Sequence, residues 1–140
     1  MSDTERGTVR RINPDGLYKS PDFTQVVIAS GAVTTIRIAG QVSIDASGQL
    51  VGKGDLAAQT EKVFDNIEIA LRAAGASLDH VVRWTVYVAA GQPLAPVVEV
   101  YRKVRSGMDH PPIVNLLHVA ALASPDYLVE IETVALLPEA

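Results

Sequence analysis

Apolar residues in this chain recur in alternating blocks of two different periods, and that alternation limits the fold more than any single residue does. Residues 25–29 are short, apolar and β-branched, which suits a strand. Ser30 and Gly31 then read as a hairpin turn into a second strand over residues 33–44. There Ile36, Ile38, Val42 and Ile44 share one face around Gly40, while Thr35, Arg37, Ala39, Gln41 and Ser43 share the other. Beyond the irregular glycines Gly52 and Gly54 the period lengthens. Leu56, Val63, Ile67, Ala70, Leu71 and Ala74 fall on one helical stripe, with Asp55 placed to cap its start and Gly75 to end it. Glu68 and Arg72 stand at i,i+4 on its wetter side, and the Gln59 and Asn66 amides read as solvent-side or capping groups.

The period shortens again over residues 81–88. Val82, Trp84, Val86 and Val88 make an apolar face, and Arg83, Thr85 and Tyr87 a mixed one. Pro93 opens a second helix with a stripe of Leu94, Val97, Val98, Tyr101 and Val104, stopped by Gly107. Residues 113–121 and 128–136 are two further strands around a turn at Ser124, Pro125 and Asp126. The last strand puts Val129, Ile131, Thr133 and Ala135 on one face and Glu130 and Glu132 on the other. The order strand-strand-helix-strand-helix-strand-strand predicts an α+β fold, one sheet backed by two helices on the same face. Residues 1–15 are expected to form a flexible N-terminal tail, and residues 16–140 a single domain.

Composition narrows the function classes. There is no cysteine, which removes disulfides, thiol nucleophiles and thiolate metal sites. A net charge of −4 with scattered basic residues disfavours nucleic acid as a partner. No apolar run nears the ~20 residues of a membrane span and the start lacks a secretory pattern, so a soluble cytoplasmic protein without a membrane partner is expected. His80, His110 and His118 lack metal-ligand spacing, and no glycine loop suits a phosphate; neither metal nor cofactor is expected. The sheet face left bare by the helices would carry Thr35, Arg37, Ala39, Gln41, Arg83, Thr85, Tyr87, Glu130 and Glu132. Such a face is either solvated or a subunit interface with polar clefts.

Several segments together resemble the Rid/YjgF family in order and spacing. They are Ala39-Gly40-Gln41, residues 55–75, residues 81–88, His110-Pro111-Pro112 and Val129-Glu130-Ile131-Glu132, and the likeness runs over roughly residues 20–137. The resemblance implies a chorismate-mutase-like sheet and a homotrimer with clefts between neighbouring subunits. It also implies hydrolysis of reactive enamines and imines to 2-keto acids and ammonia. In members with that activity the stretch after the paired prolines reads Pro-Ala-Arg-Ser, and its arginine clamps the substrate carboxylate. Here Pro112 is followed by Ile113, Val114 and Asn115, so Val114 stands in the arginine's place.

Other positions drift in the same direction. Phe23 aligns with a family tyrosine, Ala39 with a serine, Val98 with an asparagine and Leu116 with a small polar residue or cysteine. Of the usual polar set Glu130 remains, the one weak catalytic candidate. The substrate-binding set expected from the resemblance is therefore Phe23, Ala39, Val98, Val114, Leu116 and Glu130. Arg37 and His118 form a second tier: Arg37 as an added cation expected to pair with Glu130 or Glu132, His118 as a hydrogen-bonded structural histidine. The leading expectation is a homotrimer that binds or transforms a small, rather apolar metabolite in its clefts. The alternatives are an enamine/imine deaminase, a hydrolase using a displaced cation such as Arg37, and a non-catalytic interaction or chaperone-like protein. Acidic composition argues against ribonuclease activity.

Overall fold

The computed structural model describes residues 5–139. Its elements run β1 (Thr8–Ile12), β2 (Val26–Ser30), β3 (Val33–Gln41), α1 (Leu56–Ala73), a 3-10 turn (Leu78–His80), β4 (Val81–Ala89), α2 (Ala95–Arg105), β5 (Ile113–Val119) and β6 (Val129–Pro138). The α+β class and the helix-backed sheet are as the periodicity predicts.

The helices form where capping and burial agree. The Asp55 carboxylate accepts the Ala58 N–H at 3.0 Å, satisfying one free donor of the first turn of α1. Gly75 takes φ 77°, the left-handed geometry that ends the helix. The buried stripe holds Leu56, Val63, Phe64, Ile67 and Leu71, whereas Ala74 is exposed. In α2 the proline inside the first turn is Pro96 rather than Pro93. The helix begins after Leu94, whose carbonyl accepts the Val98 N–H at 3.0 Å, and a proline there forfeits no intrahelical bond.

The main sheet has the order β3-β6-β4-β5. β4 and β5 are parallel, joined by α2, and the other pairings are antiparallel. The turn at Ser124–Asp126 therefore closes no hairpin: β6 passes β5 and inserts between β3 and β4. Insertion places β6 at the sheet's centre beside β4, with Val129, Ile131 and Ala135 fully buried. Trp84 is the centre of the core, edge-on to Phe64 at 5.1 Å and to Tyr101 at 5.9 Å between ring centroids. Its indole N–H donates to the Thr133 hydroxyl at 3.1 Å.

Further expectations need correcting. The stretch read as a tail contains β1, which pairs with β2 in register Thr8↔Ser30 to Ile12↔Val26. The part of that stretch before residue 5 lies outside the described residues. Second, β2 and β3 do not make a hairpin ladder: β1 and β2 form a two-stranded sheet of their own, so the sheet is not single. Gly7 donates to the Glu139 carbonyl and Glu139 to the Ala32 carbonyl, tying this ribbon to the end of the main sheet. Third, β3 shifts register between Ile38 and Gln41. An extra residue reverses the alternation, so Ser43 is fully buried while Val42 and Ile44 are only half-buried.

Last, Gln59 is not on the solvent side but completely buried. Its amide donates to the Gly52 carbonyl at 3.2 Å and the Asp126 carbonyl at 3.0 Å, and it accepts the Leu128 N–H at 3.0 Å. Asn66 likewise donates to the carbonyls of Val42 and Ile44. Both amides serve loop backbone that no strand ladder satisfies. Glu68 and Arg72 form no ion pair among the described residues; the pairs there are Lys19–Asp15, Arg102–Asp22 and Arg105–Asp22. No helix among them is long and apolar enough to cross a membrane.

Candidate functional site

The edge strand β5 organises the first group of candidate residues. Its register with β4 pairs Val114 with Trp84, Leu116 with Val86 and His118 with Val88. Paired residues share a face, so all three side chains lie on the helix-backed side. Val114 is half-buried against the core and Leu116 is 36% exposed. His118 Nε2 lies 2.8 Å from the Gln92 carbonyl just before α2. A carbonyl only accepts, so that nitrogen carries the proton and donates it to Gln92.

Phe23 is delivered to the same side by a clamped loop. Thr24 donates its N–H to the Pro112 carbonyl at 3.0 Å and its hydroxyl to the Pro111 carbonyl. The Tyr101 hydroxyl donates to the Asp22 carbonyl, and burial pushes that phenol well above its ordinary pKa. Arg102 and Arg105 each stand 3.2 Å from the Asp22 carboxylate. The Arg105 contact is ionic without an aligned N–H bond, since its buried Nε has no hydrogen-bond partner. Val98 is half-buried on α2. Phe23, Val98, Val114 and Leu116 thus belong to one largely apolar region built from α2, β5 and the loop before β2.

The second group lies on the opposite face of the sheet. Glu130 pairs with Tyr87 and Glu132 with Thr85 across β6 and β4. Arg37 pairs with Val134 from the β3 side. Gly40, in the bulge beside exposed Ala39, leaves the room that the Glu130 side chain occupies: a Cβ there would sit 2.8 Å from Glu130 Oε2. The Tyr87 hydroxyl donates to Glu132 Oε1, and that carboxylate holds the phenol above its ordinary value of 10.0.

Within one chain, then, the expected site does not converge. Phe23, Val98, Val114, Leu116 and His118 are on the helix-backed side; Arg37, Ala39 and Glu130 are on the uncovered side. The pairing of Arg37 with Glu130 or Glu132 is not made within the chain among the described residues. The Tyr87–Glu132 bond and Arg83 go unremarked as site features in the sequence, although alternation places all three on the mixed face. Their meeting depends on which strands are neighbours. Among the described residues no group of His, Asp or Glu is arranged to hold a metal ion.

Comparison with known proteins bears on this arrangement. A family model described as Endoribonuclease L-PSP matches residues 17–137. The chain belongs to the Rid/YjgF family. A solved structure of a Rid protein family member of unknown function, YyfB from Yersinia pestis, is 40% identical with a TM-score of 0.82, covering 92% of this chain and 98% of that one. RidA from an Antarctic Psychrobacter is 33% identical with a TM-score of 0.65, covering 74% and 80%. A RutC family protein of Pyrococcus abyssi is 39% identical over 100 residues, which is 71% of this chain and 76% of that protein.

Proposed function

We propose that this Rid-family chain works as a homotrimer whose clefts between subunits bind or transform a small, rather apolar metabolite, and that it is not a standard 2-imine deaminase. The observation that carries the reading is the division of the expected site between two faces of one sheet. Side chains on opposite faces cannot close around one ligand, so a site using both groups needs the Phe23–Val114 side of one copy against the Glu130 side of another. β5 supports such a contact. It is an edge strand with unpaired backbone groups, and Leu116 and Leu117 are 36% and 44% exposed on its two faces. A closed ring of copies would cover that edge.

The chemistry follows from the lining. Val114 offers neither charge nor a hydrogen bond, and Phe23, Val98 and Leu116 add none, so a bare carboxylate entering that half would lose its water without gaining a partner. Glu130 remains as the acid/base candidate from the facing half. The second reading is a deaminase with Arg37 as a displaced cation, favoured by the absence of any carboxylate partner for Arg37 among the described residues.

Three measurements on the same sample test the proposal. Light scattering coupled to size exclusion should give three times the chain mass of 14.9 kDa. A thermal-shift panel of small metabolites should show stabilisation by apolar members, because a ligand of the native state raises stability by mass action. A 2-aminoacrylate hydrolysis assay should show no acceleration. A monomeric mass would overturn the assembly, and rapid hydrolysis would overturn the choice against a deaminase.

A further inference from the structure

The uncovered face holds a concavity beside Glu132. Arg37 on β3 and Arg83 on β4 both pair with Val134, one from each side of β6. All three side chains therefore leave the sheet on the same face, and the two arginine Cα atoms are two strand spacings apart, roughly 9.5 Å. Between them lies a cavity of about 160 Å3 lined by Arg37, Arg83, Thr85, Glu132 and Val134. At ~30 Å3 per water it has room for about five waters, or an organic ion of a few heavy atoms.

The charges in this cavity do not balance. Neither guanidinium has a carboxylate within ion-pairing distance among the described residues, although Glu132 lines the same cavity. One oxygen of Glu132 is engaged by the Tyr87 hydroxyl instead. Two cations face one carboxylate, on a chain whose net charge is −4. Each guanidinium keeps its planar fork of donors free, the geometry that takes a carboxylate bidentately.

We infer that Arg37 and Arg83 form a binding site for a small dicarboxylate, one carboxylate held by each arginine across Val134, with the Thr85 hydroxyl beneath it. A two-ended ion suits guanidiniums separated by a strand, and it keeps negative charge at the ends and away from Glu132. A compact dianion such as phosphate would have to sit in the middle, nearer that carboxylate. The inference uses residues of one chain only, so the assembly reading can fail while it stands.

Calorimetric titration of the full chain with malonate, inorganic phosphate and acetate at matched ionic strength tests it, with light scattering on every sample. Malonate should bind saturably, about one per chain, and more tightly than the other two. Arg37→Gln and Arg83→Gln should each weaken malonate by about tenfold or more with the mass unchanged. Glu132→Gln, which removes the opposing charge, should strengthen it. The inference is overturned by any of four results: no saturable binding, phosphate tighter than malonate, malonate affinity untouched by both arginine changes, or arginine changes that lower the mass and lose malonate only with it. The last result would assign the arginines to carboxylates of a neighbouring copy.

Discussion

Replacing Gln59 by leucine isolates what one buried amide does for the loops around it. The side chain is completely buried, and leucine fills nearly the same volume. Packing is thereby held roughly constant while three hydrogen bonds are deleted: those to the carbonyls of Gly52 and Asp126 and that from the Leu128 N–H. Asp126 is exposed, so water can replace its bond, and the Gly52 carbonyl keeps the Asp55 N–H at 3.0 Å; the half-buried Leu128 N–H is left without a partner. Each such orphan costs ~1–3 kcal/mol. The better burial of leucine returns on the order of 1–2 kcal/mol.

With one orphan and one weakened carbonyl, the net expectation is a loss of about 1 kcal/mol, read as a fall in Tm of about 3–5 °C for a chain of this length. Gln59→Glu separates bonding from shape. An ionised carboxylate there faces two carbonyls and can donate to neither, so its folded-state pKa is raised above the unfolded value. Its contribution is complete below the unfolded pKa and is lost as pH rises through the folded one, which makes the variant weaker at neutral pH than in mild acid relative to the parent. Differential scanning calorimetry at fixed protein concentration measures both. Gln59→Leu melting within about 2 °C of the parent, together with a Gln59→Glu difference flat in pH, would refute the argument that bonding rather than volume explains this glutamine.

The remaining predictions concern assembly, chemistry and the tyrosine. Leu117→Glu on the exposed edge strand should lower the mass measured by light scattering, and an unchanged oligomer would remove β5 from the interface. Added to an amino-acid oxidase or deaminase reaction, the protein should leave the rate of keto-acid release unchanged; Val114→Arg should restore little, because Phe23, Ala39 and Leu116 stay as they are. Tyr87 should ionise above the ordinary tyrosine range in an ultraviolet titration, with Tyr87→Phe assigning the step and Glu132→Gln moving it down. Since its folded pKa is raised, the stability it gives is complete below the unfolded value and declines only as pH rises through the folded one. Tyr87→Phe should therefore differ from the parent in neutral but not in strongly alkaline buffer.

Both helices, the spans of β4 and β6 and membership of the Rid family are legible in the sequence, because they rest on local signals. The Asp55 cap, the stripe from Leu56 to Leu71 and the alternation of Val82, Trp84, Val86 and Val88 each report which residues of one element share a face. What the tertiary structure decides is which elements are neighbours. Thr8–Ile12 is too polar to announce itself, and becomes a strand because Val26–Ser30 lies beside it. One extra residue near Gly40 turns Ser43 inward, a reversal that no periodic count from Ile36 can foresee. Gln59 reads as a surface amide until loops distant in sequence bring their carbonyls and an N–H to it. Likewise, alternation puts Arg37, Arg83 and Glu132 on one face, but only the insertion of β6 between β3 and β4 sets the two arginines either side of Val134. Periodicity is a property of one segment, whereas partners for polar groups come from other segments, and only packing brings those together.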